Sequence, residues 1–155
     1  VENVKRYQPG GFHPVHLGDT FHNNRYTVVY KLGHGSYSTP IRACSHEPSS
    51  STLKIVVLES TKVASEIAVF HHLQQLSNLD IDNGNKDFVV YLLDKFKHHG
   101  PNGMHQCIVT EVLGPCLGLD DCLVEEHFNG FAKHVAAQIS RGLRYLHKHF
   151  VVHGG

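Results

Sequence analysis

Two apolar runs, 88–96 and 105–113, are joined through Gly100-Pro101-Asn102-Gly103, and this junction constrains the fold more than any other stretch. Proline fixes one backbone angle and glycine admits conformations that side chains block, so the four residues read as a tight reversal between two strands. Strands reversed this tightly pair antiparallel. Upstream segments extend the sheet. Tyr26, Val28, Tyr30 and Leu32 alternate with other residues, the period of a strand. Residues 53–58, Leu-Lys-Ile-Val-Val-Leu, are a β-branched run suited to a buried strand. Between them a further strand is expected after Gly33-His34-Gly35-Ser36, but Pro40 and Glu47-Pro48-Ser49-Ser50-Ser51 make it a poor one.

Two segments carry the helical period instead. Over 61–76, Val63, Ile67 and Phe70 form one stripe with Val69, Leu73 and Leu76 beside it. Over 128–148, Phe128, Phe131, Val135, Ile139, Leu143 and Leu146 share one face. Residues 77–87 read as a loop, and a short final strand is expected at Val151-Val152. In 1–24, Pro9-Gly10-Gly11 and Pro14 exclude a regular helix. The order is three strands, a helix, two strands and a long helix, which fits an α+β domain.

Bulk properties exclude several function classes. The 155 residues carry 14 Lys plus Arg against 14 Asp plus Glu, so no basic excess points to nucleic acid. No apolar run approaches the ~20 residues that span a bilayer. Cys44, Cys107, Cys116 and Cys122 form no C-x-x-C pair, and no secretory signal pattern opens the chain; a reducing compartment is expected. The 15 histidines are an excess that the sequence does not assign. His71-His72 and His98-His99 are adjacent pairs rather than i, i+4 pairs, so a metal site ranks last among the readings.

Lys54 stands inside an apolar strand, on the face of Val56 and Leu58. Such a lysine is paired, reaches water along its stem, or loses its charge. Glu66 lies at the border of the first helix's apolar stripe, in line with Val69 and Leu73. The two residues alone leave open a buried ion pair and a snorkelling lysine beside a solvated glutamate. Gly-x-Gly after a strand lets backbone approach phosphates, although a lone Gly-x-Gly is mostly an ordinary turn. Gly-x-Gly, then a strand lysine, then a helix glutamate is the order in which a protein kinase places its ATP site.

On these residues the sequence resembles the small lobe of a protein kinase, and more narrowly the SR-protein kinases of fungal type. Residues 7–19, with Pro9-Gly10-Gly11-Phe12-His13-Pro14-Val15 and Gly18-Asp19, resemble that family's lead-in. Arg25-Tyr26 and Lys31-Leu32-Gly33-His34-Gly35-Ser36-Tyr37-Ser38-Thr39 resemble its first strand and glycine-rich loop. Ser65-Glu66-Ile67 resembles its helix motif. Residues 96–114, with Gly100-Pro101-Asn102-Gly103, His105, Cys107, Val109 and Glu111-Val112-Leu113-Gly114, resemble its fourth and fifth strands and hinge. The segment 128–148 resembles the long helix before the catalytic loop.

The resemblance implies a five-stranded antiparallel sheet plus one helix, followed by the first helices of a large lobe. It implies an extension over 1–24, an ATP-binding lobe over 25–113, and the start of the second lobe over 114–155. It assigns Lys54 and Glu66 as catalytic residues. It assigns Leu32, Gly33, His34, Gly35, Ser36, Pro40, Lys54, Thr110, Glu111 and Leu113 to the nucleotide, with Thr110 as gatekeeper and Glu111 and Leu113 in the hinge. Implied cofactors are ATP and Mg²⁺. The implied protein substrate is of the Arg/Ser-rich splicing type, in cytoplasm or nucleus, with no direct nucleic acid or membrane contact.

The sequence departs from the family at several positions. Ser38 replaces the third loop glycine, a change normal in this family. Pro40 replaces the valine over the adenine, Thr52 replaces a smaller residue, and 40–52 do not resemble the family's strands. The family continues into His-x-Asp, Asn and Asp-Phe-Gly, whereas these residues stop at His153-Gly154-Gly155. The metal ligands and substrate groove are therefore not among them, and these 155 residues alone are expected to be inactive. A non-catalytic pseudokinase or interaction module, and a small-molecule phosphotransferase, are the competing readings.

Overall fold

The strand alternation and the turn residues together set the register of the sheet. The computed structural model describes residues 3–33, 35–45, 50–57, 62–77, 86–114 and 125–152, with side chains of 62, 63, 77, 86 and 125–129 outside that description. His34, Leu58, residues 78–85 of the expected loop, and His153-Gly154-Gly155 thus lie outside the described residues. Described elements are β1 (Thr20–Phe21), β2 (Tyr26–Lys31), β3 (Ser38–Ser45), β4 (Ser50–Val56), α1 (Lys62–Ser77), β5 (Leu92–Gly100), β6 (Gly103–Glu111) and α2 (Glu125–Lys148). Single 3₁₀ turns stand at Val4–Arg6 and Lys86–Phe88. The fold is α+β. Val151-Val152 is not a strand.

The sheet is antiparallel in the order β1-β2-β3-β4-β6-β5. It has six strands where five were expected; the sixth is β1, inside the stretch read only as free of regular helix. Its turn into β2 uses His22, Asn23 and Asn24, at φ 52, 55 and 64. Histidine and asparagine tolerate this left-handed region better than most residues, so the reversal carries no glycine or proline signal. The β5–β6 hairpin pairs up to Gly100↔Gly103, with Pro101 and Asn102 as the turn.

The expectation of a poor strand after the glycine turn is corrected for the described residues 38–45 and 50–56; Glu47-Pro48-Ser49 lies outside them. β3 and β4 pair from Ser38↔Val56 to Cys44↔Ser50. Pro40 is tolerated because of where its missing N–H falls. The Pro40 carbonyl accepts from Leu32 N (3.1 Å), so the nitrogen also faces the β2 side. Lys31↔Ile41 is the last full pair of the β2–β3 ladder, so the missing donor falls at the ladder's end and forfeits only the reciprocal bond to the Leu32 carbonyl.

The chain divides into two compact units. The first comprises Val1–Ala68 and Tyr91–Leu113. Its core joins Phe21, Tyr26, Val28, Ile41, Ala43, Leu53, Ile55, Cys107 and Val109, with Val15 and Phe96 packed against it. The sheet curls, because β5 reaches back to the opposite edge. Asp94 Oδ2 accepts from the Tyr26 hydroxyl (2.8 Å) and Arg25 Nη1 (3.2 Å), and pairs with His22 Nδ1 at 3.1 Å. Phe96 stacks on His22 and Tyr26. Curling covers edges that would otherwise offer unpaired backbone groups.

The second unit comprises Val69–Val90 and Gly114–Gly155. In it α2 buries Gly142 and Tyr145. Gly142 lies against the Phe88 backbone, where an added Cβ would stand 2.9 Å from the carbonyl oxygen. Of the apolar stripe read from the sequence, Phe131, Ile139 and Leu143 are exposed and Val135 and Leu146 half-buried. Among the described residues, no helix is long and apolar enough to cross a membrane.

Candidate active site

β4 sorts its side chains by alternation. Ser51, Leu53 and Ile55 are buried, while Thr52 and Lys54 lie on the opposite face, half-exposed. Directly opposed residues of antiparallel strands share a face. Pro40 of β3 is opposite Lys54, and Thr110 of β6 is opposite Thr52. One sheet face therefore gathers Pro40, Thr52, Lys54 and Thr110. The sequence assigned Pro40, Lys54 and Thr110 to one site without a means of showing that they share a face.

From this face Lys54 Nζ reaches α1 and donates to both carboxylate oxygens of Glu66, at 2.7 and 3.0 Å. Of the two arrangements that the sequence left open, the ion pair is the one formed. Each side chain is 34% exposed, so the pair is not fully buried. An ammonium has three donors, and Glu66 takes two, which leaves one for a further acceptor.

The described residues between β2 and β3 are tied to the end of β4, the strand that carries Lys54. Gly35 N donates to Ser38 O (2.8 Å), and Val57 N donates to Tyr37 O (2.9 Å). A Cβ added at Gly33 would meet nothing within 4 Å, and at Gly35 it would make only ordinary contact with Ser38. Internal packing therefore does not demand either glycine; what they supply is uncovered backbone at the surface. Leu32, Gly35 and Ser36 are exposed there.

At the far end of the face, β6 finishes at Glu111. The Thr110 hydroxyl donates to the Glu111 carbonyl (3.2 Å), and Glu111 Oε1 accepts from Tyr91 N (3.1 Å). The Glu111 side chain thus ties the strand end to the chain entering β5, a role with no sequence signal. Leu113 is exposed beyond it. Among the described residues, no three His, Cys, Asp or Glu gather as a metal would require.

No family model matches the chain. Individual curated proteins do. Protein kinase dsk1 of Schizosaccharomyces pombe is 36% identical over 153 residues, 95% of this chain and 28% of its own length. The SRSF protein kinase 3 of Homo sapiens is 35% identical over 152 residues, 94% of this chain and 26% of its own. The Serine/threonine-protein kinase SRPK of Physarum polycephalum is 36% identical over 152 residues, 94% of this chain and 34% of its own.

This chain is similar to one part of the SR-protein kinases. It spans about a quarter to a third of the length of these relatives. The match covers nearly all of the SR-protein-kinase-like chain, so it includes 40–52, where the loop and strand residues depart most from the family pattern. The paired β3 and β4 show that these departures leave the sheet intact.

Proposed function

We propose that this chain is the nucleotide-gripping part of a serine/threonine protein kinase that moves the γ-phosphoryl group of ATP to serine in Arg/Ser-rich proteins. The observation that carries the reading is Lys54 held by both oxygens of Glu66, on a sheet face shared with Pro40 and Thr110 and next to a glycine turn. Phosphoryl transfer is mostly positioning and charge stabilisation, which this arrangement serves. Glu66 fixes the ammonium, and its remaining N–H is directed to a phosphate oxygen. Gly33, Gly35 and Ser36 bring uncovered backbone to the phosphates, and the resemblance assigns His34 to the same loop. Leu32 and Pro40 supply apolar cover for the base, and Thr110, Glu111 and Leu113 its edge. Residues 25–113 form this lobe, 1–24 lead into it, and 114–155 begin the next.

Mg²⁺, when bound, neutralises developing phosphate charge. In the family pattern its ligands are the Asn and the Asp of Asp-Phe-Gly that follow His-x-Asp, and no described residue is assigned to it. Binding without turnover is therefore expected of the 155 residues alone. The name of the human relative, SRSF protein kinase 3, supports a protein substrate of the SR type; cytoplasm or nucleus as the place of action belongs to the same proposal.

Isothermal titration of the 155-residue chain with ATP, with and without Mg²⁺, tests the reading. Saturable binding that Lys54→Met weakens tenfold or more supports it. Absence of binding overturns it in favour of a non-catalytic module, a reading that Pro40 and Thr52 on the same face favour.

A further inference from the structure

Three of the unassigned histidines are gathered in one place. His13, His98 and His105 meet in the first unit, with ring centroids 4.8 Å apart for His13–His98 and 5.3 Å for His13–His105. Phe21 closes the group, edge-on to His13 and His98. His105 is fully buried and His13 nearly so. His105 Nδ1 lies 3.0 Å from the Val56 carbonyl, which can only accept, so this nitrogen carries the proton. Nε2 of His105 and Nδ1 of His13 are buried and meet no hydrogen-bond partner among the described residues. A proton added to either nitrogen would create a buried cation with an unpaired donor, which is costly.

This cluster lies under a specific piece of chain. Gly10 N donates to Asn102 O (2.8 Å), and Asn102 Nδ2 donates to Phe12 O (2.7 Å). These bonds seat residues 8–13 on the β5–β6 turn, and the His13 ring fills the space over Gly100. We propose that His13, His98 and His105 form a proton-operated latch: the neutral rings hold residues 8–13 on the β5–β6 turn, and protonation releases that segment while the sheet stays folded.

The groups facing the latch favour the neutral state. The chain between the segment and β1 brings His16 and Asp19; β1 brings Phe21; β4 brings the Val56 carbonyl; β5 brings His98 and, next to it, His99; β6 brings His105. Asp19 alone among them is acidic, and its carboxylate already accepts from His16 N (2.7 Å). Burial, then the neighbouring imidazoles, push His13 down to about 4, and the same causes lower His98. Phe21 belongs both to this group and to the core, while Ile41, Leu53, Ile55, Cys107 and Val109 are the part of that core expected to stay packed when the His13 ring leaves. The latch does not depend on the nucleotide reading.

Amide NMR spectra of the full chain between pH 7.5 and 4 test it. Signals of Gly10, Phe12 and Gly100 should move to unstructured positions at a midpoint between about 4 and 6.5. Signals of Leu53, Ile55 and Cys107 should keep their native positions over that range. His13→Phe, which keeps a ring but cannot titrate, should lower the midpoint by at least about one pH unit. Gly100→Ala places a Cβ in overlap with His13 Nδ1, and should show the released spectrum already at pH 7.5. Loss of both signal sets together, no movement by pH 4, or an unchanged midpoint in folded His13→Phe overturns the proposal. Should His13→Phe fail to fold, Gly100→Ala decides: native Gly10 and Phe12 signals at pH 7.5 would refute the latch.

Discussion

The Lys54–Glu66 pair can be taken apart by a double-mutant cycle of Lys54→Met, Glu66→Gln and the double variant. At 2.7 Å, two unit charges attract by about 1.5 kcal/mol in bulk water and about 6 kcal/mol at an effective dielectric of 20. With a third of each side chain exposed, the pair sits nearer the first limit. Ordering two long side chains offsets part of the attraction. A coupling of about 1 kcal/mol follows, well below the ~3–5 kcal/mol lost when a fully buried pair is broken. The chain has no tryptophan, so urea unfolding followed by circular dichroism is the assay. Each single variant should lose about 1 kcal/mol, or roughly 2–4 °C in Tm, and the double variant little more. ATP titration of the same four proteins should show a loss of tenfold or more for Lys54→Met and a smaller one for Glu66→Gln. Zero coupling would refute the pair as an energetic unit. ATP affinity unchanged in Lys54→Met would refute the ammonium as a phosphate ligand.

Asp94→Asn keeps the shape but removes the charge that Tyr26, Arg25 and His22 share; a loss of about 1–3 kcal/mol is expected by urea unfolding. Gly142→Ala should cost about 1–3 kcal/mol, because the new Cβ meets the Phe88 carbonyl at 2.9 Å in the second unit. For His13 the folded value, about 4, lies below the unfolded 6.5, so the unfolded chain binds the extra proton in between. Its contribution is complete above pH 6.5 and declines as pH falls toward 4, by up to about 3 kcal/mol less whatever local release relieves; urea midpoints at pH 7 and 5 should show the decline, reduced in His13→Phe. Burial pushes the Cys107 thiol up to about 12, whereas Cys44 is exposed. Iodoacetamide at pH 8 should label Cys44 and spare Cys107 until the chain unfolds, as read by peptide mass spectrometry.

Local chemistry determined the hairpin at Pro101-Asn102, the helices 61–76 and 128–148 to within a few residues, and the order of glycine turn, strand lysine and helix glutamate. Those signals lie within single segments, where spacing and turn residues suffice. Tertiary structure alone decided the rest. The β1–β2 reversal runs through His22, Asn23 and Asn24, which tolerate a left-handed backbone without announcing it. Pro40 sits in a strand because its missing donor falls at the end of the ladder beside it, where a single bond is forfeited. The exposure of the Lys54–Glu66 pair, which sets its strength, depends on what packs around α1 and β4. The gathering of His13, His98 and His105 joins residues up to 92 positions apart. No local pattern encodes such distances, because they arise only when β5 and β6 fold under the lead-in segment.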